Sequence, residues 1–289
     1  DVENALHFTS EKPWAYRILV PHLINYSVLC LDYVIPKKLA QKLSTHPKVH
    51  DRLSRMETNF ILNPQLPKKT YVVIYYLFFI FLLALLFSLY YLTQLYFNSS
   101  PLVVVCGPVI ALLLYPITFV GGGYLYDFSE FLLITLALIF LTKEKMWAYY
   151  SVYLLALFNK ESAILLTLYF LGFHLVSGRF KSYIWHFIAQ TIIGVSVIIF
   201  LKIIFSDNPG AGLWLSLMNN ILFMLDWSSY FLFTDMYGFL IPIPRGFNII
   251  LLFFFFMLIS YFWKQKPVQV KQITLMILPT LFFLSLLMG

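Results

Sequence analysis

The sequence predicts an all-α fold, a polytopic bundle of transmembrane helices, and three observations carry that prediction. Of its 289 residues, 61% are hydrophobic and only 11% are charged, against roughly 25% charged in an ordinary soluble domain. The mean hydropathy is +0.81. Long uncharged runs such as Tyr71 to Phe97 lack the alternation of outer-membrane barrel strands, so in lipid their backbone groups must be satisfied within helices. These features exclude a soluble enzyme. Since about 20 apolar residues cross a bilayer as helix, the stretch from Tyr71 to Met288 has room for about seven or eight crossings, some of them short.

The elements follow in order. Residues 1–70 read as a surface region: a polar start, an apolar but interrupted stretch from Trp14 to Ile35 carrying Arg17, Pro21, His22 and Asp32, and a basic segment from Pro36 to Thr70. The interrupted stretch suits a jaw-like helix lying at the interface, or a poor span. Residues 71–289 form the helical core. Its expected helices are Tyr71 to Phe97, Pro101 to Val120, Asp127 to Thr142, Met146 to Phe158, Glu161 to Val176, Tyr183 to Phe205, Phe247 to Trp263 and Ile273 to Met288. Residues 206–246 mix aromatics with acids and a Pro-Gly pair, as a loop with interfacial helices would. With the Trp14 to Ile35 helix flat on the outer surface, strict alternation puts Lys143, Lys145, Arg179, Lys181 and Lys264 inside, in keeping with the positive-inside rule. The same alternation leaves the basic segment outside, together with Asp127, Lys160, Glu161 and Asp207.

The formal net charge of +7 sits largely between Lys37 and Lys69. Beside a membrane, that excess points to anionic lipid or a phosphorylated substrate rather than nucleic acid. Cys30 and Cys106 stand in apolar stretches far apart, which offers no disulfide framework and no thiolate metal site. The chain opens on Asp1 without a signal-like segment, and the expectation is that one or both ends are missing.

Four places carry candidate chemistry. Between Lys69 and Lys143 the only charges are Asp127 and Glu130, which share one helix face at a spacing of three. They read either as an N-cap with its capping-box acid or as carboxylates at membrane depth facing a substrate cavity. In Asn159-Lys160-Glu161, Asn159 either caps the next helix or stands with an ammonium and a helix N-terminus that clamp phosphate. Adjacent helix positions do not face each other, so a simple Lys160/Glu161 pair explains the motif poorly. Arg17, amid aromatics, reads as a snorkelling side chain or a ligand contact. His46 and His50 surround Pro47 and suit a solvated loop better than a metal site. Nucleotide-binding and hydrolase motifs are absent, and neither a metal nor a cofactor is expected.

The order Pro13-Trp-Ala-Tyr-Arg17 with Pro21, then Tyr126-Asp-Phe128, the basic turn Lys143 to Lys145 with Trp147, and Asn159-Lys-Glu161 resembles poorly characterised bacterial membrane proteins that look like GT-C glycosyltransferases. The resemblance covers most of Pro13 to Val176. It implies a bacterial cytoplasmic-membrane enzyme that takes a sugar from a polyprenyl-phosphate carrier at the outer face and passes it to an acceptor. It further implies an essential acid in the first outer loop, for which Asp1 and Glu3 are the positional candidates, with Asp127 as a further catalytic carboxylate. Arg17, Glu130, Asn159, Lys160, Glu161 and Arg245 are then the substrate-binding candidates. The rival reading is a non-catalytic subunit of a membrane complex, whose charges pair internally and whose basic segment docks a partner.

Overall fold

A computed structural model describes residues 2–10, 12, 14–34, 68–96, 101–114, 126–209, 221–222, 225–226, 231–236, 239–244, 249–268, 271 and 274. Among these the chain is mostly helical. Helix α1 (Val2–Leu6) is followed by a 3-10 turn, Trp14–Tyr16, and by α2 (Leu19–Val34). Then come α3 (Lys68–Tyr96), α4 (Pro101–Leu114), α5 (Asp127–Thr142), α6 (Met146–Asn159), α7 (Leu165–Val176), α8 (Phe180–Ile204) and α9 (Ile249–Ser260).

Among the described residues two helices, α3 and α8, are long and apolar enough to cross a membrane, and only 11% and 22% of their apolar windows are buried. At 1.5 Å per residue their hydrophobic stretches reach about 37 Å, more than the roughly 30 Å of a hydrocarbon core. Large apolar side chains such as Tyr76 and Phe87 on α3 and Ile199 and Ile203 on α8 point outward. Water would penalise such faces and lipid does not, so these two helices suit a membrane protein. Helices α5 and α6, with 16 and 14 residues, are only about 21 to 24 Å long. They fall short of the roughly 30 Å of a hydrocarbon core, and α5 is also packed on α3.

The core lies where α5, α6 and α7 meet, around Ala137, Tyr149, Tyr153, Leu157 and Phe170. Helix α8 closes it at Gly194, where an added Cβ would sit 2.6 Å from the Tyr153 hydroxyl. That hydroxyl donates to the Gln190 carbonyl at 3.0 Å, and Tyr149 donates to Gln190 Oε1 at 2.9 Å. Two turns of one type lie at the end of this group away from Asp127. After α5, the Lys145 and Glu144 amides donate back to the Phe140 and Leu141 carbonyls, with Glu144 at φ 55°. After α7, Arg179 and Gly178 do the same to His174 and Leu175, with Gly178 at φ 67°. Both are Schellman closures, and glycine suits the left-handed position in the second. Arg179 joins the turns through Glu144 at 2.7 Å, which holds Arg179's pKa above its ordinary value.

The predicted helices that fall among the described residues are found, with three differences; the Ile273 to Met288 run, Thr274 apart, lies outside them. The Glu161 to Val176 run begins as a 3-10 turn, Glu161–Ile164, and becomes α-helical only at Leu165. Within 206–246, expected to hold interfacial helices, Phe231–Met236 and Phe239–Pro244 pair as an antiparallel hairpin with Phe231 opposite Pro244. Pro242 and Pro244 each remove a helical hydrogen-bond donor, while Phe231, Phe233, Thr234, Ile241 and Ile243 are residue types suited to strands. The stretch from Trp14 is a 3-10 turn followed by a 16-residue helix, about 24 Å long; Pro21 falls in its first turn, where no amide donor is needed. Residues 35–67, which hold most of the basic segment with His46 and His50, and the run after Thr274 lie outside the described residues.

Candidate functional site

The site begins with the way α6 ends. Lys160 is extended, with φ −161° and ψ 137°, so the helix stops at Asn159 and the chain turns into Glu161–Ile164. Asn159 is fully buried. Its Nδ2 donates to the Tyr126 carbonyl at 3.0 Å and its Oδ1 accepts from Ser129 Oγ at 2.7 Å. The end of α6 is thereby pinned to the start of α5. Neither the 3-10 turn nor α7 has a side-chain cap, so the capping reading of Asn159 is corrected: its amide serves the neighbouring helix.

Asp127 is the first residue of α5 rather than its cap, which is Tyr126 without a side-chain cap bond. The two acids share a face, as their spacing predicts, and that face receives Lys160. Lys160 Nζ lies 2.7 Å from Glu130 Oε2 and 3.5 Å from Asp127 Oδ1. Ser162 Oγ donates to the other Glu130 oxygen. Asp127 and Glu130 therefore belong to a charge cluster as well as to the helix start.

Arg17 closes the cluster from the N-terminal side. The backbone places it there, because the Ile18 amide donates to the Phe158 carbonyl at 3.0 Å. Its guanidinium lies 4.2 Å from the centre of the Tyr126 ring, donates through Nη1 to the Tyr126 hydroxyl, and reaches Glu161 Oε1 through Nη2 at 3.4 Å. The side chain is 10% exposed, so it does not snorkel toward water. Burial disfavours its charge, yet Glu161 and the Tyr126 hydroxyl outweigh burial and raise its pKa. Lys160 Nζ lies 5.7 Å from the same ring centre, so Tyr126 offers its π-face to both cations.

Three chain segments thus supply two cations and three carboxylates to one place. If all are ionised, one negative charge is in excess. The five side chains are between 6% and 25% exposed, partly open at one end of the helices. The turn after α8 lies at this end as well: Lys12 bonds through its amide to the Pro209 carbonyl and through Nζ to the Ser206 carbonyl. Asn208 Nδ2 donates to the carbonyls of Phe8 and Ser10, both at 2.9 Å. The Glu144–Arg179 turns lie at the opposite end of α5, α6 and α7. Asp127, Lys160, Glu161 and Asp207 therefore share an end, opposite Lys143 and Lys145, as the alternation predicts.

Of the remaining predicted site residues, Glu3 lies on α1, while Asp1 and Arg245 lie outside the described residues. Tyr126, Ser129 and Ser162 escaped the sequence reading of the chemistry. Tyr126 was visible only as the aromatic before Asp127; the two serines carried no signal. Among the described residues, no three His, Cys, Asp or Glu side chains group as a metal site. No family model, curated protein or solved structure matches the chain.

Proposed function

We propose that the chain is a GT-C-like membrane glycosyltransferase, which takes a sugar from a polyprenyl-phosphate donor at the outer face of the bacterial cytoplasmic membrane. One observation carries this reading: Arg17, Asp127, Glu130, Lys160 and Glu161, drawn from three segments, meet in one partly exposed cluster around Tyr126. Such a transfer needs a carboxylate to receive the acceptor's proton and cations to stabilise the departing carrier phosphate. Asp127, Glu130 and Glu161 are the carboxylates within the cluster; Asp1 and Glu3 remain positional candidates from the family resemblance. Lys160 is the cation for the phosphate. Of its two contacts, the one to Asp127, at 3.5 Å, is the one that a phosphate oxygen displaces. Substrate entry between lipid-facing helices suits a carrier with a long apolar tail.

A second reading, a structural or assembly subunit, is favoured by the pairing itself, since each cation already meets a carboxylate. The two readings separate on carrier binding. With the purified protein in nanodiscs, short-chain polyprenyl phosphate should bind, and Lys160→Met should weaken it by about 1 to 3 kcal/mol, the scale of hydrogen bonds to charged groups. Lys160→Arg should retain part of the affinity. Failure of the wild type to bind, or equal affinity in the Met variant, would remove Lys160 from a phosphate site and leave the subunit reading.

A further inference from the structure

Two polar atoms of the cluster, Arg17 Nε and Glu161 Oε2, are closed off from solvent and have no hydrogen-bond partner. They belong to the two members of one ion pair. A guanidinium presents Nε and a terminal nitrogen along one edge, and a carboxylate commonly meets both through two parallel bonds. Here Nη2 to Oε1 is the bond made, at 3.4 Å, well beyond the roughly 2.7 to 2.9 Å of a charge-assisted contact. The second bond is not made. With the Arg17 side chain 10% exposed, bulk water does not serve the orphaned donor.

A group that satisfies both atoms must accept from Nε and donate to Oε2. An unprotonated phosphate oxygen only accepts, so it serves Arg17 and repels Glu161. An ammonium only donates, with the opposite failing. A hydroxyl does both through one oxygen.

We infer that Arg17 Nε and Glu161 Oε2 together form a hydroxyl-binding subsite, which in glycosyl transfer receives the acceptor alcohol; that catalytic role rests on the function proposed above. The acceptor O–H bond breaks and its proton passes to Glu161 Oε2, leaving a carboxylic acid. The oxygen's electron pair forms the bond to the anomeric carbon while the bond from that carbon to the carrier's phosphate oxygen breaks. The breaking bond's electrons leave with the phosphate. Arg17 keeps its proton and positions the acceptor oxygen through Nε. Tyr126 anchors Arg17 through its ring and hydroxyl, so Glu161, 20% exposed, is the side that swings to admit the alcohol.

The test uses the full chain in nanodiscs, with methyl glucoside as the hydroxyl probe and sulfate, which carries no O–H at neutral pH, as the anion probe. Infrared difference spectra of wild type against Glu161→Gln isolate the Glu161 carboxylate band. Methyl glucoside should perturb that band in the wild type, sulfate should not, and Arg17→Lys, which keeps the charge but loses Nε, should need about tenfold more glucoside or worse, in line with loss of a hydrogen bond to a charged group. A band moved by sulfate alone, or by neither probe, would overturn the subsite. Polyprenyl-phosphate binding is measured on the same samples. Carrier binding without a glucoside response sinks the subsite and spares the transferase; a glucoside response without carrier binding does the reverse.

Discussion

Asn159→Asp is the sharpest available probe of the join between α5 and α6. The side chain is 0% exposed, and Asp has the same shape, so packing is held constant. Ser129 can still donate to one carboxylate oxygen. The other oxygen replaces an N–H that lay 3.0 Å from the Tyr126 carbonyl, and two acceptors would then face each other beside a cluster with a negative excess. The least costly escape is for the carboxyl to stay protonated and donate to that carbonyl. Keeping a group with a reference pKa of about 3.9 neutral at pH 7 costs about 4 kcal/mol, at about 1.4 kcal/mol per pH unit. The folded-state pKa of the new Asp is raised, so the penalty is absent below about pH 4. It grows as pH rises, until the folded carboxyl itself ionises. Unfolding by SDS in mixed micelles, followed by tryptophan fluorescence from pH 4 to 7, should show the variant close to wild type at pH 4 and losing about 1.4 kcal/mol per unit above it. A constant difference across that range, or equal stability at pH 7, would refute the burial of Asn159 against Tyr126.

Three further outcomes follow from the packing and the charges. Gly194→Ala places a Cβ 2.6 Å from the Tyr153 hydroxyl and should cost about 1 to 3 kcal/mol by overpacking, despite the better helix propensity of alanine; a stabilised variant in the same SDS titration would contradict the α6–α8 contact. Lys160→Met takes the ammonium from Glu130, at 2.7 Å, and from Asp127, at 3.5 Å, and should destabilise by about 1 to 3 kcal/mol; adding Glu130→Gln should restore part of the loss, and no restoration would break the pair. Single cysteines at positions 143 and 207, introduced after Cys30 and Cys106 are changed to Ser, should be labelled from opposite sides of the membrane, and labelling of both from one side would reject the topology.

Much of the helical pattern is legible in sequence because lipid allows few alternatives. The helix expected from Tyr71 to Phe97 ends at Tyr96, and the Asp127 to Thr142 helix has the predicted bounds. The pairing was harder to read. Asp127 and Glu130 declare a shared face by their spacing, but nothing local says that Lys160, thirty residues later, will fill it. The i+1 rule removes Lys160 and Glu161 as partners without supplying new ones. Arg17 was legible only as an Arg among aromatics, since its burial depends on the tertiary contact of Ile18 with Phe158. The hairpin was missed because the mixed aromatics, acids and Pro-Gly pair of residues 206–246 mark a loop with interfacial helices without singling out two strands. The prolines held the stronger signal.

The extended conformation of Lys160 is what separates two neighbours into different ion pairs. With ψ at 137°, the chain at this point alternates its side chains as a strand does rather than winding them around a helix. Lys160 thus turns to α5 and Glu161 to the N-terminal segment, and three segments are tied by charge at one point. The two ties are unequal. Lys160 meets Glu130 at 2.7 Å, while Arg17 meets Glu161 at 3.4 Å with the second bond of the fork unmade. A ligand that enters between the N-terminal segment and the Glu161 turn should therefore part Arg17 from Glu161, because that contact loses little when stretched. The α5–α6 join, held by Asn159 and Lys160, would stay intact while it does so. A site that opens along its weaker tie can exchange ligands without unfolding the helix junction that shapes it.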